Sequence, residues 1–325
     1  MMIPTRPLGA TGLRVSALGL GCSTLGGGVF YRNDAESLRL LHGALERGVT
    51  FYDTADMYGY GHSERLIGRA FKGRRREVII ASKAGFLPSS LARFGQIALP
   101  LLGLARPLLK PLQRPLHQAS RKRQDFSPHH ITRALEGTLR RLQTDYVDVN
   151  LLHSPPTEVL RQGEAFDVMR QLKREGKIRH GGVSANTIDD ALLALRDPDV
   201  EVLEVAFNLM DREAAVRLFP VMAQRPAGII ARIPLARGLL TERATMQTGL
   251  QHDDTAALLQ RRRAIEPLTR GGTRSIVHAA LQFVLQYPEV SATIPGTRSV
   301  AHLEENLRAL AAEPLNAEER ELITA

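Results

Sequence analysis

Four ionisable residues close three successive apolar runs of this sequence, and their types complement one another. Thr50-Phe51-Tyr52-Asp53 continues into Thr54-Ala55-Asp56-Met57-Tyr58-Gly59, Ala81-Ser82 ends on Lys83, and Leu151-Leu152 ends on His153. A tyrosine, with a free pKa of about 10, is a poor proton donor at neutral pH unless its phenolate is stabilised, and a nearby ammonium does that directly. Lys83 can supply that charge. Buried beside a tyrosine, a lysine tends to shed its own proton, so a carboxylate such as Asp53 is needed to hold it charged. His153 can then hydrogen-bond a carbonyl oxygen and polarise it. Such a set donates a proton to a carbonyl while another group delivers hydride. Taken singly, each residue has an ordinary explanation as a helix cap, a surface ammonium or a satisfied half-buried side chain. The joint appearance on three successive runs carries the reading.

Strand ends of this kind need a scaffold that brings them to one face. Short apolar runs at 17–22, 50–53, 78–82, 147–152, 178–183, 202–207, 228–233 and 290–294 predict eight strands. Between and after them, helical periodicity covers 34–47, 63–71, 128–142, 157–175, 188–195, 212–224, 275–286 and 300–310. Eight strand-helix units without a composition break predict one domain over 1–325, an α/β protein with a closed (β/α)8 TIM barrel, whose strand ends form the active face. An open doubly wound sheet is the alternative. Before the first unit, Arg6 to Val15 alternates around Thr11-Gly12 as a short β-hairpin does. After the third strand, residues 86–125 form a Leu- and Pro-rich insertion in which Pro100, Pro107, Pro111 and Pro115 forbid one long helix. The expected use is a loop or lid over the site.

The composition excludes several other functions. The net charge is +9, but the 86–125 insertion holds seven basic residues against Asp125, so +6 of the excess is local. Aromatics are 5% and there is no Trp, which argues against base stacking and so against a nucleic-acid partner. Cys22 is the one cysteine, which rules out an internal disulfide or a cysteine metal cage. With no run of about 18 uncharged apolar residues and no secretory leader pattern, the expectation is a cytoplasmic protein without a transmembrane segment. Gly19, Gly21 and Thr24 break the G-x-G-x-x-G pattern, and no P-loop is present. Gly26-Gly27-Gly28 reads as a turn, Arg74-Arg75-Arg76 and Arg261-Arg262-Arg263 read as solvated faces, and no His/Asp/Glu group has catalytic metal spacing.

Phe51 through Gly59, Ser82-Lys83, and Asp145-Tyr146-Val147-Asp148 through His153 resemble the aspartate/tyrosine, lysine and histidine motifs of the aldo-keto reductases. The likeness runs from Leu8-Gly9 to Glu305-Asn306. It implies a (β/α)8 barrel that reduces a small-molecule carbonyl with NADPH, NADH being the alternative. Tyr58 is implied as general acid, Asp53 and Lys83 as the residues that tune it, and His153 as the residue orienting the carbonyl. Retention of His153 implies carbonyl rather than double-bond reduction.

The implied cofactor contacts fall on Cys22, Ser23, Ser184, Asn186, Glu204, Arg232, Pro234, Leu235, Gly238, Gly296, Thr297, Arg298, His302, Glu305 and Asn306. Several depart from the family pattern. Ala185 stands where an Asn usually follows Ser184, and Glu204 stands for a common Gln yet can accept from a carboxamide when ionised. Arg232 replaces a stacking aromatic with a planar guanidinium. Gly296 and His302 replace the Lys and Arg of strict NADPH users, whereas Thr297 and Arg298 keep NADPH ahead. The same resemblance leaves two further functions open: an aldose or alcohol dehydrogenase running in the oxidative direction, and a cofactor-binding accessory or sensor subunit that makes contact through 86–125.

Overall fold

Period-two alternation in the short apolar runs turns one set of side chains inward and the next outward, and the chain resolves this as two separate apolar cores. The computed structural model describes residues 3–25, 33–87, 123–242, 260, 262–269 and 274–324. Strands β1 (Thr5–Pro7) and β2 (Arg14–Ser16) form an antiparallel hairpin. Strands β3 (Leu20–Gly21), β4 (Phe51–Asp53), β5 (Ile79–Ala84), β6 (Val147–His153), β7 (Ile178–Ser184), β8 (Val202–Ala206), β9 (Gly228–Arg232) and β10 (Val290–Ile294) pair in parallel, in chain order. Bridges from Leu18 to Thr293 and from Gly21 to Gly296 join the first of these to the last. The predicted (β/α)8 barrel is therefore present, and the open sheet is not.

The inner core is small: Phe51, Ala81, Val149, Leu151, Val202, Ile230, Ala292 and Ile294, joined by Leu8 and Val15 from the hairpin. The hairpin seats itself from the N-terminal end of the strands, with Ala10 N–H donating to Pro226 O at 2.9 Å and Leu8 against Gly228. Leu8 is fully buried, worth about 1.5–3 kcal/mol for a side chain of its size. The larger outer core lies between the strands and the helices. Helices Asp34–Glu46, Pro128–Leu142, Ile188–Ala194, Ile276–Leu285 and Val300–Arg308 start alike. The side chains of Asn33, Ser127, Thr187, Ser275 and Ser299 each accept from the backbone N–H three residues on.

Four local readings need correction. The predicted helix over 157–175 is two, Thr157–Gln162 and Glu164–Arg174, because Gly163 takes φ +78, a left-handed turn that ends one helix and begins the next. The predicted helix over 212–224 is a short α-helix at Glu213–Arg217 followed by a 3-10 segment at Phe219–Ala223, Pro220 having no N–H to continue the ladder. The first barrel strand keeps only Leu20–Gly21 of 17–22, since Ala17 and Gly19 hydrogen-bond across to Thr293 instead. Arg75 does not belong to a solvated face: its guanidinium reaches Asp148 at 2.6 Å and lies 4.3 Å over the Tyr146 ring. Gly26 to Gly28, Arg261 and residues 88–122 of the insertion lie outside the described residues. The neck of the insertion is described. Phe86 pairs with Gln124, and Asp125 N–H donates to Gly85 O.

Candidate active site

One register step separates the apolar interior from the polar site. Inward-facing Phe51 is followed two residues on by Asp53, Ala81 by Lys83, Leu151 by His153, Val202 by Glu204 and Ile230 by Arg232. Ser184, the last residue of β7, pairs with Glu204 and with His153 in the strand ladder. Every one of these residues thus lies toward the C-terminal end of a parallel strand, and the barrel gathers them into a single ring. Glu204 and Lys83 lie far apart in sequence and meet only because of this closure.

Lys83 is the centre of the ring and has no exposed surface. Its Nζ donates to Asp53 Oδ1, to Thr54 O at 3.1 Å, and stands 3.1 Å from Glu204 Oε2. Tyr58, on the 3-10 turn Tyr58–Gly61 that follows β4, offers its ring 5.3 Å from Nζ. The His153 ring stands edge-on to that of Tyr58, centroids 6.0 Å apart. All four residues of the expected catalytic set are brought together.

Burial works against the Lys83 charge, yet Asp53, Glu204 and Tyr58 together raise its pKa above the ordinary lysine value. Burial also raises the Tyr58 phenol, and Lys83 only partly offsets it because Asp53 and Glu204 push the same way as burial. The net result is a phenol that holds its proton more tightly than a free tyrosine, so the pull of Lys83 does not by itself give the eased ionisation that the sequence reading expects. Asp53 is pushed well above the usual carboxylate range by burial and then by the negative charge of Glu204, against the pull of Lys83. Burial likewise lifts the Cys22 thiol, whose Sγ donates to Leu20 O at 3.3 Å.

The residues expected to hold a dinucleotide divide into three groups. Ser184 Oγ donates to Glu204 Oε1 at 3.0 Å and both are buried, while the exposed Asn186 donates its amide to Ser154 O at 3.3 Å. Beside them Arg232 donates to Ala185 O at 3.0 Å, and its buried Nε has no hydrogen-bond partner. The loop after β9, carrying Pro234, Leu235 and Gly238, is strained: Ile233, Ala236 and Arg237 all have positive φ, and a β-branched residue there is a true outlier. Asn208 holds this loop by donating to Ile233 O at 3.1 Å. At the end of β10, Gly296 is exposed, with only Thr24 Cγ2, at 4.0 Å, near where a Cβ would stand, Thr297 is buried, and Asn306 donates to Thr297 Oγ1 at 3.0 Å. Arg298 and His302 are exposed beside the start of the helix Val300–Arg308. Ser23 is exposed and Cys22 fully buried at the end of β3.

Glu305 is the exception to a ligand-facing arrangement. Its carboxylate is already engaged by Ser275 Oγ at 3.0 Å, by His278 at 3.1 Å and by Arg308. The glycines of Gly181-Gly182-Val183-Ser184 are explained by packing: a Cβ on Gly182 would stand 1.8 Å from Val202 O, and one on Gly181 2.8 Å from the Met169 side chain. Two site residues escaped the sequence reading. Phe86 packs edge-on against His153 at 4.8 Å, and Gln124 donates to His153 O and Ser154 O at 3.1 and 2.9 Å. Only their position at the two ends of the insertion hinted at a role. Among the described residues no cluster of His, Cys, Asp or Glu could hold a metal ion, and no helix is long and apolar enough to cross a membrane.

Comparison with known proteins agrees with this fold. The family model described as "Aldo/keto reductase family" matches residues 17–325. The "Uncharacterized oxidoreductase YqkF" of Bacillus subtilis (strain 168) is 29% identical over 321 residues, 97% of this chain and 93% of that one. The "NADH-specific methylglyoxal reductase" of Escherichia coli (strain K12) is 26% identical, over 94% of this chain and 92% of its own. Among solved structures, the holo form of aldo-keto reductase AKR11C1 from Bacillus halodurans superposes with a TM-score of 0.78 at 27% identity, covering 99% of this chain and 95% of that one.

Proposed function

This chain belongs to the aldo-keto reductase family, and from that premise we propose that it reduces an aldehyde or ketone to an alcohol where Asp53, Tyr58, Lys83 and His153 meet. One observation carries the reading: a fully buried Lys83 stands between the Asp53 carboxylate and the Tyr58 ring, with His153 edge-on to that ring. Tyr58 gives its proton to the carbonyl oxygen. Lys83 stabilises the phenolate left behind, and Asp53 keeps Lys83 charged through that change. His153 orients the carbonyl so that its oxygen faces Tyr58.

A reduced nicotinamide supplies the hydride when bound. The residues that fit it are Ser184 and Glu204 for a carboxamide, Arg232 with its unpartnered Nε for the ring, and the strained Ile233–Gly238 loop for the linking phosphates. Gly296, Thr297 and Arg298 fit the adenosine end, since the N–H groups of a helix start and an exposed Arg suit a phosphate. Arg298 favours NADPH over NADH. Phe86 and Gln124, which border His153, fit the substrate wall.

Tyr58→Phe removes the proton donor and keeps the ring. Turnover of an aldehyde panel is expected to fall about 10²–10⁴-fold, with NADPH affinity, read by fluorescence titration, unchanged. Near-normal turnover in that variant would overturn the assignment. The same residues also run the reaction from alcohol to carbonyl.

A further inference from the structure

His153 ends β6, and two of its neighbours come from outside the barrel strands. Strands β5 and β6 keep step as far as Ala84 and Leu152. Gly85 then takes φ +136 and turns the chain away, a conformation open to glycine, and a Cβ there would stand 2.3 Å from the Phe126 ring. The chain comes back alongside itself at the far end of the insertion. Phe86 bridges antiparallel to Gln124, Leu87 N–H donates to Arg123 O, and Asp125 N–H donates to Gly85 O, both bonds at 2.9 Å. One narrow neck thus carries Phe86 and Gln124, as a pair, to the end of β6.

Past Leu152 the side chain of Gln124 takes over from β5. Its Nε2 donates to His153 O at 3.1 Å and to Ser154 O at 2.9 Å. On the other flank β7 holds the same two residues, His153 opposite Ser184 in the ladder and Ser154 N–H donating to Ser184 O at 2.9 Å. Ser154 has φ +55, a left-handed conformation that a residue other than glycine keeps only where its surroundings impose it. Its carbonyl accepts from Asn186 as well as from Gln124. The imidazole of His153 stands edge-on to the Phe86 ring at 4.8 Å and to the Tyr58 ring at 6.0 Å. The neck therefore grips His153 twice, at its backbone through Gln124 and at its ring through Phe86.

We propose that Gln124 is a positioning residue for carbonyl reduction: its amide fixes the end of β6 so that the His153 ring, resting against Phe86, meets the substrate carbonyl in one orientation. The inference rests on the carbonyl-reduction reading given above. A group that polarises a carbonyl works through its preorganisation, and a misplacement of about 1 Å costs about 10²-fold in rate. Gln124 spends its amide on two backbone carbonyls and acts through His153. The ends of the insertion are thus part of the machinery that aims the substrate, as well as of the wall around it.

The test is Gln124→Met in the full chain, a side chain of similar length without an N–H donor. In the nucleotide-free protein the NMR signals of the His153 ring, identified by their loss in His153→Ala, are expected to move or broaden. With NADPH and an aldehyde panel, kcat is expected to fall about 10- to 100-fold while NADPH affinity stays unchanged. The primary isotope effect from NADPH deuterated at the transferred position is expected to rise, because hydride transfer becomes the slow step, and loss of folded protein alone does not produce such a rise. Gln124→Lys returns a donor of similar reach and is expected to restore most of the lost turnover. If Gln124→Met does not fold, Gln124→Asn takes its place, keeping the amide but one methylene too short to reach both carbonyls, with the same loss expected. An unmoved His153 signal or an unchanged kcat overturns this inference and leaves the carbonyl-reduction reading standing. An unaltered chain that reduces no carbonyl with NADPH or NADH overturns both.

Discussion

Lys83 keeps its charge in surroundings where an isolated ammonium would lose it, and the carboxylates that hold it there also determine what Tyr58 can do. Close by, Asp56 shows the opposite case. Burial, and then the charge of Glu64, push its carboxyl to about 8, with Arg141 pulling the other way, and its Oδ1 is buried without a hydrogen-bond partner. Because the folded chain binds that proton more tightly than the unfolded one, the stability contributed by Asp56 is full below about pH 4 and is lost as pH rises through 8. Asp56→Asn cannot ionise, so its melting temperature should gain on the unaltered chain between pH 5 and 8. The gain corresponds to a few kcal/mol at most, at about 1.4 kcal/mol per pKa unit. Parallel melting curves for the two across that range would refute it. At this scale the four residues proposed as the catalytic set stood out in the sequence because they close or follow apolar runs. The second carboxylate on Lys83 was not, since no local pattern tells which strand ends meet across a closed barrel.

Gly182 shows how close strand packing dictates a residue type. Its backbone lies so close to Val202 that a Cβ would stand 1.8 Å from a carbonyl oxygen. Gly182→Ala must force β7 and β8 apart, and a loss of about 3 kcal/mol or more is expected, at or beyond the upper end for overpacked cores. Chemical denaturation would check this, an unchanged midpoint counting against it. Helix ends were legible where a side chain caps them, as at Ser127 and Ser299. They were missed where a single backbone angle decides, as with the left-handed turn of Gly163, because a glycine within a periodic stretch is compatible with both outcomes.

The whole barrel is polarised, with an apolar core at the hairpin end and the buried charged cluster toward the strand ends. Leu8 belongs to the inner core, whereas Asp53, Lys83 and Glu204 lie one register step above that core. Leu8→Ala should therefore lower unfolding free energy by about 2–5 kcal/mol while leaving turnover per folded molecule unchanged. A matching drop in turnover would show the two ends to be coupled. Fold class was readable from eight repeats of one unit, but the shape of the substrate pocket was not, because it is made by loops with no period to read. The hairpin also ties the beginning of the chain to its last strands. Arg6 donates to Leu285 O, Tyr287 O and Val290 O, and Gly9 abuts Gly228. A nascent chain has nothing for residues 5–16 to dock against until β9 and β10 have left the ribosome. The first segment made must wait, uncommitted, for the last, and barrel closure carries the loop entropy of nearly the entire polypeptide.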